Sequence, residues 1–147
     1  MTQEAEAAVS DETLSQIYST AKAHSLTHLT AHGLHGNGLL DPQTELGNRF
    51  IQENLKSVIQ YERMKREMER LYRALEEAAI RFLPLKGAVL RNYYPEPWMR
   101  TSCDVDILIL PEDLDRALAL LCDKLNYSLH SRESYDVSLY SPGKMHL

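Results

Sequence analysis

Apolar residues recur at helical spacing at Leu14, Ile17, Tyr18 and Ala21, which predicts an amphipathic helix. The run Ser10-Asp11-Glu12-Thr13 supplies a cap and an acidic first turn. Three glycines within residues 33–38 predict a turn, and Asp41-Pro42 predicts a new helix start with Asp as cap and Pro at the first helical position. From there Leu46, Phe50, Leu55, Val58, Met64, Met68, Leu71, Leu75 and Ala79 keep one apolar stripe. About 38 residues at ~1.5 Å each span about 55 Å, and a break is expected near Asn48 or Asn54. The Met64, Met68 and Leu71 part of the stripe is read as packing inside the fold rather than as a partner's groove.

The period changes after Ala79. Ile80-Arg81-Phe82-Leu83-Pro84-Leu85 reads as a short strand ended by Lys86-Gly87, and residues 88–94 as two helical turns stopped by Pro95 and Pro97. Asp104-Val105-Asp106-Ile107-Leu108-Ile109-Leu110 is the strongest strand pattern, apolar on both faces, which predicts a central strand covered on both sides. Pro111-Glu112-Asp113 opens a helix whose buried face is Leu114, Leu118, Leu121 and Leu125, and Asn126-Tyr127 ends it. Residues 137–140, 141–144 and 145–147 read as strand, turn and the start of another strand. The expected organisation is a helical region over 1–79 and an α/β core over 80–147, an α+β chain whose sheet is incomplete at its C-terminal end.

Composition changes this picture little. Hydrophobic residues make up 44% and charged residues 25% of 147, which excludes intrinsic disorder and repetitive fibrous classes. No apolar run matches a membrane span, and the first residues have neither the basic flank nor the apolar stretch of a signal peptide, so a soluble cytoplasmic protein is expected. Cys103 and Cys122 form no Cys-x-x-Cys pair, which argues against structural zinc. A net charge of −5 disfavours nucleic acid as partner without ruling it out. The balance reverses between residues 81 and 103, where Arg81, Lys86, Arg91 and Arg100 face Glu96 alone.

That basic stretch lies just before two aspartates. Asp104 and Asp106 are two apart on a predicted strand, so both side chains leave one face, with α-carbons about 6.5–7 Å apart. Two such carboxylates can reach one divalent cation, and hard oxygen donors with room for phosphates suit Mg²⁺ or Mn²⁺. Asp-x-Asp alone is a weak motif, and two solvated acids at a strand's entry are commoner. Leu85-Lys86-Gly87-Ala88 adds a strand-to-helix junction, where backbone N–H groups and a helix dipole can hold an anion. Arg81 and Arg91 read as surface charges, whereas Lys86 and Arg100 divide evenly between surface and site.

The series Leu85-Lys86-Gly87-Ala88-Val89-Leu90, then Tyr94-Pro95, then Arg100-Thr101-Ser102-Cys103-Asp104-Val105-Asp106-Ile107-Leu108-Ile109 resembles the uncharacterised bacterial nucleotidyltransferase family of the DNA polymerase beta superfamily. Leu125-Asn126-Tyr127 and the upstream Ala23-His24-Ser25-Leu26 also fit it, with residues 83–127 the distinctive part. The resemblance implies a nucleotidyltransferase-like mixed sheet with helices on one face. It implies Asp104 and Asp106 as catalytic Mg²⁺ ligands and Lys86, Gly87 and Arg100 as contacts to a bound NTP, with an unknown small molecule or protein as acceptor. The superfamily's third carboxylate has no clear counterpart: Glu133 and Asp136 fall in an expected loop, and that acid would follow residue 147, so a truncated, inactive chain is one expectation.

Other features have plainer readings. His24, His28 and His32 would form a column on an unbroken helix, but no acid or cysteine completes a zinc set, and exposed or half-buried histidines are expected. Tyr93, Tyr94 and Trp98 either stack a base or anchor a proline-rich loop. Cys103 has no base partner and His146 reads as a mobile end. A glycosyltransferase also uses Asp-x-Asp, but needs a nucleotide-binding βαβ region where this chain has a long helix. The non-enzymatic alternative is an antitoxin-like interaction module built on a nucleotidyltransferase scaffold.

Overall fold

The computed structural model describes residues 9–102, 104–134 and 136–147; the expectations for residues 1–6 and for Cys103 lie outside them. The chain forms two compact units, Met1–Val58 and Ile59–Leu147. It is an α+β structure, helical first and then mixed.

The first unit starts with α1 (Asp11–Ala23), capped as expected: the Ser10 hydroxyl accepts from the Thr13 N–H at 3.3 Å. Ser25, at φ 57°, ends that helix, and α2 (Thr27–Gly36) follows. Two of the glycines expected to make a turn therefore sit inside α2, and the turn comes later, at Gly38 with φ 68°. The break at Ser25 also parts His24 from His28 and His32, and His28 is buried rather than half-exposed.

Asp41-Pro42 does not start the next helix. The Asp41 carboxylate accepts from the Gln43 N–H at 2.9 Å, closing a turn, and the Thr44 hydroxyl then accepts from the Gly47 N–H at 3.0 Å. Thr44 is thus the working cap of α3 (Glu45–Glu77), because only it reaches the orphan donors of the first turn. α3 runs unbroken through Asn48 and Asn54 for 33 residues, about 50 Å. Tyr18, Ala31, Leu40 and Phe50 form the core of the first unit, with the Tyr18 and Phe50 rings edge to face at 5.0 Å.

In the second unit β1 (Phe82–Pro84) pairs antiparallel with β2 (Ile107–Ile109). Between them lie α4 (Gly87–Leu90) and two 3-10 turns, Arg91–Tyr93 and Pro97–Met99. After β2 come α5 (Leu114–Ala119), a π-helical continuation Leu120–Lys124, and the hairpin of β3 (Ser128–Arg132) with β4 (Val137–Tyr140). β3 was not anticipated by the sequence pattern. Residues 145–147 join the two pairs: His146 bridges Asp104 in parallel and Tyr140 antiparallel, with the Val105 N–H donating to the His146 carbonyl at 2.9 Å. The strand order is therefore β1, β2, the C-terminal segment, β4, β3, a mixed arrangement.

Met64, Met68, Leu71 and Leu75 of α3 pack with Val105, Ala117, Leu121, Leu139 and Met145 in one core, as the stripe predicts. The sheet is covered on one face only. Leu83 and Leu108, cross-strand partners, are each 57% exposed, which corrects the expectation of a strand covered on both sides. None of the described helices is long and apolar enough to cross a membrane.

Two measurements check this packing. A Cβ on Gly47 would overlap the Asp41 carbonyl oxygen, whereas one on Gly33 meets nothing within 4 Å. Gly47→Ala is expected to destabilise by about 2–3 kcal/mol, and Gly33→Ala to stabilise by about 0.5–1 kcal/mol, in urea unfolding. Burial, reinforced by the Glu67 carboxylate and opposed by Arg70, pushes the Tyr127 phenol up to about 12. An unfolded tyrosine ionises near pH 10, so this contribution to stability is complete below that and is lost as pH rises through about 12. Stability should fall by on the order of 2 kcal/mol between pH 9 and 12, and Tyr127→Phe should flatten part of that fall.

Candidate functional site

The site begins with alternation along one strand. Val105 is 1% exposed and faces the core, so Asp104 and Asp106 share the opposite, solvent-facing side with Leu108. Regular β2 pairing covers only residues 107–109. Asp104 still bridges His146, and the Leu85 N–H donates to the Asp106 carbonyl at 2.8 Å, extending the β1 ladder. Both aspartates therefore stand on backbone pinned from its two edges.

That same hydrogen bond delivers the Lys86-Gly87 turn to the aspartates. Lys86 lies at φ 38° and ψ −109°, a conformation that side-chain-bearing residues avoid and that costs about 1–3 kcal/mol. Its ammonium is 3.7 Å from Asp106 Oδ2, an exposed pair worth little in itself but a direct link between the two motifs. A Cβ on Gly87 would stand 3.0 Å from the Ser102 hydroxyl and 3.7 Å from the Asp104 carbonyl oxygen. The Ser102 hydroxyl donates to that same carbonyl at 3.0 Å. Glycine is thus the residue that lets the turn close against the aspartate strand. The helix behind it, α4, is a single turn, so the expected dipole is weak and the turn itself is the local feature.

The arginines separate sharply. Arg81 is the surface charge expected, held by Glu112 at 3.0 Å and Asp113 at 3.6 Å. Arg91, expected on the surface, is 2% exposed. Its Nε donates to the Gly87 carbonyl at 3.2 Å, its guanidinium lies 5.4 Å from the Tyr61 ring centre, and its Nη2 reaches only the Met64 sulfur at 3.7 Å. Burial lowers its pKa, and repulsion from Arg100 adds to this against the pull of Tyr61 and Tyr72. Arg100 bonds to neither aspartate; it sits near Arg91, with a buried Nε that has no acceptor. Of the five expected site residues the structure groups Asp104, Asp106, Lys86 and Gly87, while Arg100 lies near Arg91 without an ion pair to either aspartate.

His146 joins from the C-terminal segment. Its Nδ1 is 3.4 Å from Asp104 Oδ1, and its ring stacks on Tyr140 at 5.0 Å. Main-chain bonds on both sides fix it, so it is not a loose end. Sequence reading missed this placement because the parallel contact spans more than forty residues and leaves no local pattern. Glu133 and Asp136 lie in the β3–β4 connection as expected, tied by a Glu133 N–H to Asp136 carbonyl bond of 2.8 Å. Among the described residues no group of three or more His, Cys, Asp or Glu is gathered to hold a metal ion. A concavity of about 270 Å³ beside Arg66, Arg70 and Leu125 shares no residue with this cluster.

A profile of the uncharacterised nucleotidyltransferase family matches residues 10–147, nearly the whole chain. No curated protein and no solved structure matches it.

The close approach at Gly87 is testable by a double-mutant cycle. Gly87→Ala is expected to cost about 1 kcal/mol in the native background by crowding the Ser102 hydroxyl. In a Ser102→Ala background the nearest atom becomes the side-chain carbon at 3.6 Å, an ordinary contact, and most of that cost should vanish.

Proposed function

The chain belongs to the uncharacterised nucleotidyltransferase family, and from that premise we propose that it moves a nucleoside monophosphate from an NTP to an acceptor, releasing pyrophosphate in the manner of the polymerase beta superfamily. The observation that carries this reading is the convergence of the Lys86-Gly87 turn on the Asp104–Asp106 strand, through the Leu85 to Asp106 bond and the Lys86 to Asp106 contact. Two motifs separated by eighteen residues meet there with opposite charges on one exposed face.

In this reading Asp104 and Asp106 hold Mg²⁺. The donor set fits: two solvent-facing carboxylates supply hard oxygens, and Mg²⁺ is commonly held by one or two carboxylates with phosphates and water completing its shell. When bound, the ion neutralises charge on the transferring phosphate. Lys86, whose flexible stem is largely exposed, turns its ammonium from Asp106 to phosphate oxygens. Gly87 lets the turn close on the aspartate strand so that its backbone can meet the polyphosphate, and Arg100 supplies positive charge near Arg91. His146 orients the Asp104 carboxylate.

A second reading, a non-catalytic interaction module, is favoured by the exposed Leu83 and Leu108 pair. Isothermal titration of Mg²⁺ with a non-hydrolysable ATP analogue separates the two. The transferase reading expects metal-dependent binding weakened at least about 100-fold in Asp104→Ala/Asp106→Ala, as loss of both metal ligands requires. Equal binding by the folded double variant, or a co-purifying protein retained after loss of both aspartates with no nucleotide bound, would favour the module.

A further inference from the structure

Arg91 is the most buried charged side chain among the described residues, and it has no carboxylate partner there. Its Nη1 is buried with no acceptor, as is the Nε of neighbouring Arg100. The sulfur of Met64 and the face of Tyr61 are weak company for a full positive charge. An uncompensated buried charge is costly, and replacing one with an apolar side chain of similar volume is often stabilising. Packing therefore gives no reason for an arginine. The one strong bond it makes, Nε to the Gly87 carbonyl, needs only a neutral donor.

The position of the charge supplies a reason. The Gly87 carbonyl receives both the Arg91 backbone N–H and its Nε, so the guanidinium is fixed directly behind the Lys86-Gly87 turn. In a water-poor surrounding its field is little screened. Arg100 adds a second guanidinium close by, and Lys86 a third cation on the exposed side. Two guanidiniums that repel one another, with Lys86 paired only to the exposed Asp106 carboxylate, leave positive charge around one strained turn that a polyanion would neutralise.

We propose that Arg91 is a buried positioning residue of a polyphosphate subsite at the Lys86-Gly87 turn, holding the Gly87 carbonyl from behind and supplying a fixed positive charge that a bound polyphosphate neutralises. This rests on the reading of that turn as the phosphate side of the nucleotidyltransferase site. The ligand class is a linear polyphosphate, free or as the tail of a nucleotide.

The test is titration of sodium tripolyphosphate, without divalent cation, into the full chain and into Arg91→Met, Arg91→Gln and Arg91→Lys, with thermal unfolding of each. Arg91→Met is expected to bind about tenfold more weakly while melting at or above the native midpoint, the combination that removal of an uncompensated buried charge produces. Arg91→Gln keeps a donor but no charge and should weaken binding equally; Arg91→Lys keeps the charge and should stay within about threefold. Native affinity in Arg91→Met would overturn the inference. So would weak binding in Arg91→Lys accompanied by lowered midpoints throughout, which marks a purely structural anchor, or no tripolyphosphate binding by the folded native chain. Asp104→Ala/Asp106→Ala keeps the arginine-dependent binding if the subsite is real. Hence failure of Mg²⁺-dependent NTP binding alone sinks the transferase reading and leaves the subsite standing.

Discussion

The shared outward face of Asp104 and Asp106, on which the candidate site is built, depends on the two-residue period of one strand. Val105, Ile107 and Ile109 turn toward the helical core, where Val105 is fully buried against residues such as Leu71, Leu75 and Leu121. Burial of that kind stabilises by about 1.5–3 kcal/mol for each side chain. Because alternation is obligatory, Asp104 and Asp106 are committed to the other face. A slip of one residue would drive both carboxylates into the core and strand Val105 in water, so the apolar packing holds the acidic pair in register.

Unfavourable local terms gather at the neighbouring turn. Lys86 has a strained backbone, Gly87 closes against Ser102, and Arg91 sits buried without a counter-charge. Each is tolerated because the second unit's core is continuous from Met64 to Met145 and fixes the surrounding backbone. Positive φ also occurs at Ser25, Ala79, Asn126 and Lys144; what sets this turn apart is that its strain coincides with a buried guanidinium lacking a counter-charge. The C-terminal segment adds a further constraint, since His146 is held by main-chain bonds to two strands and so meets Asp104 at a fixed place.

Features that depend on near neighbours were legible along the chain. Ser10 capping α1, the apolar stripe of α3, the shared face of Asp104 and Asp106 and the Lys86-Gly87 junction are all local patterns, and the family resemblance rests on the same short motifs. Where two local signals competed, geometry chose: Thr44 rather than Asp41 caps α3, because its hydroxyl is the one that reaches the Gly47 N–H. The glycines in α2 and the asparagines in α3 do not break their helices, since their modest helix propensities are overridden by packing such as that of Ala31 and Phe50.

Features that depend on distant pairing emerged with the folded arrangement. The burial of Arg91 beneath Tyr61 and Met64, the contact of His146 with Asp104, and the bare outer face at Leu83 and Leu108 join residues far apart in the chain. An arginine four residues past a glycine carries the same letters whether it faces water or a core. Its environment is set by which segments close over it, and that is a property of the folded arrangement rather than of any local run of residues.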